Sequence, residues 1–225
     1  TGGNDDTATA AAMVAKAAGT TIIAVGFVTL MRLGEIVPLR IEGVVLVDIN
    51  GAETRLSELR GIPRLKQIKG VFLGVRWRKA SQCRCVGVPV SCRVVLSLLL
   101  RHLRLLKVAG RTEGRLFPSR QGATKTACRH ACNHVSNHSV TEALRKALVD
   151  VCGLSREQAR LFSGHSMRVG GSNYMRKLGI DDETHQAVGD WASLTSSRNY
   201  YALSADEQFI TTDRFTLDDP SRRRV

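Results

Sequence analysis

The chain is short of the features that mark several protein classes. Proline is scarce, 5 of 225 residues, and no low-complexity segment or internal repeat is present, which excludes collagenous and proline-rich disordered chains. No run of 18 or more uncharged apolar residues occurs; the apolar stretch Val94 to Leu106 is broken by Arg101, His102 and Arg104. The expectation is therefore no membrane span. The opening Thr-Gly-Gly-Asn-Asp-Asp lacks the basic start of a secretory signal, and an intracellular protein is expected. A phosphate-binding G-x-x-x-x-G-K loop and a carboxylate cluster suited to divalent ions are both missing.

Acidic residues are also few. Against 20 Asp and Glu stand 33 Lys and Arg, a net charge of +13. Such an excess fits a polyanionic partner, because each cation placed on a phosphate releases condensed counterions. Double-stranded DNA is the first candidate; a merely solvated basic surface is the plain alternative. At 225 residues, with 43% hydrophobic residues, the chain suffices for one large domain with its own core.

Six cysteines are not needed as staples in a chain of this size, and reduced thiols are expected. Cys128 and Cys132 alternate with His130, His134 and His138, the ligand types zinc prefers. On a helix, however, the two thiols share one face and the imidazoles fall on another. A helix with small buried thiols is the better expectation.

Local patterns predict an α+β, mostly helical chain with a small antiparallel β-sheet. Alanine-rich Ala8 to Lys16 reads as a short helix broken by Gly19, within an N-terminal arm of residues 1–19. Strand-like runs are Val44 to Ile49, Val71 to Trp77 and Cys85 to Val90, with Asn50-Gly51 as a turn. Helices are expected over Ser91 to Lys107, over Lys125 to Val151 as one or two pieces, and from residue 155 onward. A main domain over 20–211 and a loose tail over 212–225 complete the expected layout.

The densest group of unusual residues is Ser163-Gly164-His165-Ser166-Met167-Arg168-Val169-Gly170-Gly171. His165 and Arg168, three apart, share a helix face, and the glycines allow close packing. Alone, H-x-x-R is a weak signal in a basic chain. Downstream, Gly179-Ile180-Asp181-Asp182 offers a helix start and Gly189-Asp190-Trp191 its end, with Tyr200 nine residues beyond Trp191. Upstream, Met31-Arg32-Leu33-Gly34-Glu35-Ile36 places Arg32 and Glu35 three apart, and Lys79 follows a strand. Taken singly, a tryptophan at a helix end and a tyrosine in a Tyr-Tyr pair are ordinary packing residues.

Taken in order, these elements resemble the tyrosine recombinase (phage integrase) family, with a Cre-like catalytic domain over about residues 20 to 210. About twenty residues around Asn50 to Lys69 look like an insertion relative to that pattern. The resemblance implies DNA cleavage and rejoining through a 3′-phosphotyrosyl link, for integration or excision, by a homotetramer on two DNA sites. Because the bond energy is kept in that link, it implies no cofactor and no metal, in agreement with the missing motifs. It implies Tyr200 as nucleophile, with Tyr201 the competitor. Arg32 and Arg168 would fork onto the phosphate oxygens, and Lys79 would protonate the leaving 5′-oxygen, with Lys69 or Lys66 as alternatives. His165 and Trp191 would hydrogen-bond beside the phosphate, and Glu35 would orient the cations. A type IB topoisomerase or telomere resolvase shares this pocket, and a recombinase-derived DNA-binding protein that no longer cuts is the alternative of another class. With only about thirty residues before Arg32, a catalytic domain without its usual N-terminal clamp is expected.

Overall fold

A computed structural model describes residues 3–77, 84–119 and 134–200. Its architecture is α+β, mostly helical, with a small four-stranded antiparallel sheet of order β2-β1-β3-β4. The hydrophobic core is continuous between the helices and one face of that sheet.

Helix α1 (Gly3–Thr29) is the axis of the helical part. Val14, Ala18, Ile22 and Val25, at helical spacing, are fully buried, and α1 packs against α3 (Arg93–Val108), α4 (Asn137–Cys152) and α6 (Gly164–Lys177). The break expected at Gly19 does not form. Instead the helix continues through it, because a side chain there would press on Ala143 of α4 at 3.3 Å, so the glycine serves a close helix crossing. The segment nearest to a membrane span is also on α1: Ala12–Thr29 has a mean hydropathy of 1.6, and in this fold it supplies the core face.

Strands β1 (Val44–Asp48), β3 (Ile68–Trp77) and β4 (Arg84–Val90) fall where period-two patterning predicts them. Their inward positions, including paired Leu46, Val71 and Val90, are buried. The expected sheet lacked β2 (Glu53–Arg55), a three-residue charged edge strand with no apolar alternation to reveal it. Asn50-Gly51 makes the predicted turn, with Gly51 at φ 88 and the Asp48 carboxylate accepting from the backbone of Asn50 and Ala52.

The apparent insertion is thus structured: β2 pairs with β1, the short 3-10 turn Leu56–Glu58 follows it, and the second 3-10 turn, Leu65–Gln67, packs on α3. Lys107 donates to the carbonyls of Leu59 and Arg60, and Arg104 to that of Pro63. The α3 stripe Leu96, Leu99, Leu100, Leu103 and Leu106 is buried, while Arg101 and Arg104 face outward.

The last third carries short capped helices: α5 (Arg156–Arg160), α6, α7 (Asp182–Gly189) and α8 (Leu194–Arg198). Ser155, Ser163, Asp181 and Ser193 accept from the first-turn amides of α5, α6, α7 and α8 respectively, so the chain is punctuated by its own side chains. Helix α4 starts at Asn137 with Ser136 as its cap, and the earlier part of the expected Lys125 to Val151 stretch, residues 125–133, lies outside the described residues. Cys128, Cys132 and His130 of the zinc motif, and the expected tail over 212–225, lie outside the described residues.

Candidate functional site

Helix α1 ends at Thr29, and the chain turns sharply at Leu30, which adopts φ 54 although it is not glycine and is fully buried. Two residues later Arg32 opens the short helix α2 (Leu33–Ile36). The Glu35 carboxylate accepts from the Arg32 backbone amide at 2.9 Å and from its guanidinium at 3.2 Å. Glu35 is buried and Arg32 about one-third exposed, so the pair is anchored at the carboxylate and open at the guanidinium. It is more than a surface ion pair.

Helix α6 brings His165 and Arg168 to the same place. Its glycines make that possible. A side chain on Gly171 would sit 2.0 Å from the Phe27 carbonyl, so α6 lies directly on α1 only because that position is bare. From this crossing Arg168 reaches across the molecule: one terminal nitrogen donates to the Leu30 carbonyl and the other, at 2.5 Å, to the Gly189 carbonyl. With 1% exposure it is among the most buried residues of the protein. Burial, followed by the nearby Arg32 charge, pushes the guanidinium down to about 10, against the opposing pull of Tyr200 and Glu35. It remains a cation at neutral pH. Two of its five N–H groups are used by those carbonyls, and its Nε has no partner among the described residues.

At the end of α7 the backbone turns left-handed at Asp190, φ 51, and delivers Trp191. Gly189 is required there, since any Cβ would overlap the indole at 1.7 Å. Trp191 is 7% exposed; its ring centre lies 4.2 Å from the Arg168 guanidinium carbon and 4.9 Å from the Tyr200 ring. The indole nitrogen has no hydrogen-bond partner among the described residues.

Helix α8, tied to α7 by the Arg198–Asp182 ion pair at 2.6 Å, carries the chain to Tyr200. This phenol is half-buried. Its ring centre is 5.1 Å from that of His165 and 5.3 Å from the Arg168 guanidinium carbon. The His165 side chain is open to solvent on one side, and its partial burial together with the Arg168 and Arg32 charges holds the imidazole below the ordinary value. It is neutral at neutral pH.

Arg32, His165 and Arg168 line one open cleft of about 360 Å³, with Leu33, Gly164 and two residues of α4, Asn137 and Thr141. The fold therefore brings together Arg32, Glu35, His165, Arg168, Trp191 and Tyr200. Lys79 and Tyr201 lie outside the described residues. Lys66 and Lys69 are exposed on the sheet side, and neither lines the cleft. Asn137 and Thr141 escaped the sequence reading because a polar first turn of a helix carries no chemical signature of its own. His185, fully buried behind Trp191 at 4.6 Å between ring centres, was likewise not singled out.

Chemically, the cluster sets two guanidiniums, a neutral imidazole and a buried indole N–H without a partner among the described residues beside a phenol, a donor set suited to a phosphate oxyanion such as a phosphodiester. No family model and no curated protein matches this sequence.

Proposed function

We propose that the chain is the catalytic domain of a site-specific DNA recombinase of the tyrosine type, with the fold of that family's catalytic domain. The single observation that carries this reading is the meeting of residues from separate stretches of sequence in a protein of net charge +13: Arg32, His165 and Arg168 line one cleft, and Trp191 and Tyr200 pack against Arg168, with Tyr200 also beside His165.

In the proposed reaction the Tyr200 oxygen attacks a backbone phosphorus of DNA. Its proton passes to His165, directly or through water, which is why a neutral imidazole beside the phenol matters. The bond to the 5′-oxygen breaks, leaving a 3′-phosphotyrosyl link and, once that oxygen is protonated, a free 5′-hydroxyl. Lys79 is assigned the proton donation. Negative charge growing on the non-bridging oxygens is met by Arg32, oriented by Glu35, and by the remaining N–H groups of Arg168. Trp191 adds its indole N–H. Attack of a second 5′-hydroxyl on the link reverses these steps and joins new strands without an external energy source, in a homotetramer holding two duplexes.

A duplex nicked beside the cleavage point tests this. The short 5′-hydroxyl fragment diffuses away after cleavage, so active protein accumulates as a covalent complex stable to denaturant. Tyr200→Phe should yield none while shifting the same DNA in a gel. DNA binding that weakens steeply with salt, with no covalent complex from the parent protein, would favour a non-cutting DNA-binding protein instead.

A further inference from the structure

We propose that His185 is a positioning residue: anchored by the Ser172 hydroxyl, its imidazole fixes the plane of the Trp191 indole and, through that ring, the approach of the Tyr200 phenol. The proposal rests on the reading of Tyr200 as nucleophile.

Three contacts make the chain. On α6, Ser172 is fully buried, and its hydroxyl lies 2.7 Å from His185 Nε2 on α7, itself fully buried. The imidazole then stacks on Trp191, 4.6 Å between ring centres with the planes 30° apart. Trp191 in turn contacts Tyr200 at 4.9 Å and the Arg168 guanidinium at 4.2 Å. A serine beside a histidine suggests a nucleophile and its base, but neither residue is exposed, so no substrate reaches them. Orientation is what the pair can supply.

Trp191 needs such support. Its backbone is held by Gln186, whose carbonyl accepts from the Trp191 amide and whose side chain donates to the Trp191 carbonyl. The ring has no hydrogen bond of its own among the described residues, so stacking neighbours set its plane. An aliphatic residue at 185 would fill the space, yet only a ring tied by a directional hydrogen bond resists rotation. The charged groups facing His185 are Asp182 on its own helix, Arg168 on α6, and Arg198 of α8, which is paired with Asp182. Burial, with Arg168 acting in the same sense and Asp182 against it, holds the imidazole below its ordinary value and hence neutral at neutral pH.

Trp77→Phe leaves Trp191 as the sole tryptophan and makes the stack visible in fluorescence. In that background, acidification should quench Trp191 emission as His185 becomes charged, with a midpoint below about 6.5. His185→Leu should abolish this transition, and Ser172→Ala, which removes one oxygen and leaves the fold the least disturbed, should shift its midpoint. On nicked DNA, His185→Leu should slow covalent trapping about ten- to a hundredfold at unchanged DNA affinity. A Trp191 titration identical in parent, His185→Leu and Ser172→Ala proteins would overturn the proposal, as would wild-type trapping rates in both variants. Absence of trapping in the parent protein would instead sink the recombinase reading, while the emission titration still reports on the stack.

Discussion

The guanidinium carbon of Arg168 stands 4.2 Å from the centre of the Trp191 indole, and both residues depend on left-handed backbone. Leu30, whose carbonyl accepts from Arg168, has φ 54; Asp190, between the other accepting carbonyl at Gly189 and the indole, has φ 51. These are the two non-glycine residues with positive φ among those described. Such conformations cost about 1–3 kcal/mol each and persist where the surroundings hold them. Here the surroundings are one buried arginine bridging the end of α1 and the end of α7, so the side chain assigned to the phosphate is also what closes the fold around the cleft.

Arg168→Lys therefore removes more than charge geometry. A single ammonium cannot reach both carbonyls in a fixed fork, and one buried acceptor is left bare. The expected loss is about 2–4 kcal/mol of stability, read as a lower urea midpoint, together with loss of covalent trapping on nicked DNA.

Gly189→Ala tests the seat of the indole. Because the added methyl would overlap the Trp191 ring, the ring or the left-handed turn must move, at a cost of about 1–3 kcal/mol. Trp191 emission should shift to the red as the ring gains solvent, measured in the Trp77→Phe background.

Much of this arrangement was legible in the sequence. The Gly170-Gly171 pair announces a close approach beside His165 and Arg168, though not that the partner is α1, and the order from Arg32 to Tyr200 announces the cluster. Gly19 misled because a glycine in a helix signals a break unless a neighbouring helix crosses there, and α4 lies far away in sequence. Strand β2 was missed because an edge strand of three exposed residues leaves no burial pattern. His185 was missed for a related reason: a histidine within an ordinary amphipathic helix gains meaning only from the tryptophan folded back onto it.

Away from the cleft, His102 makes stability pH-dependent. It is fully buried on α3, with Nε2 at 2.7 Å from the Leu116 carbonyl and no partner among the described residues for Nδ1. Burial lowers its pKa to about 4, opposed in part by that hydrogen bond. Above about pH 6.5 the folded and unfolded states both carry it neutral. Between 6.5 and 4 the unfolded chain takes up the proton first, so stability falls with pH, by about 3 kcal/mol at the lower limit. Urea midpoints measured from pH 7.5 to 4.5 should show this slope, and His102→Gln should flatten it.

His165 gives a second pH signature, in rate rather than stability. Its imidazole is held below the ordinary value by burial and by two guanidiniums, so the neutral form that accepts the Tyr200 proton persists into mildly acidic solution. The rate of covalent trapping should stay level down through about pH 6.5 and fall only below it. An Arg32→Gln protein, lacking one of the two charges, should show that fall at higher pH.

The most direct measurement is the identity of the residue joined to DNA. Protein trapped on a nicked duplex, digested with nuclease and protease, should release one peptide carrying a nucleotide 3′-phosphate on Tyr200, and the same adduct should be absent from Tyr200→Phe. An adduct on Tyr201 or any other residue, or a chain that binds DNA tightly and never acquires one, would contradict the assignment of this cleft.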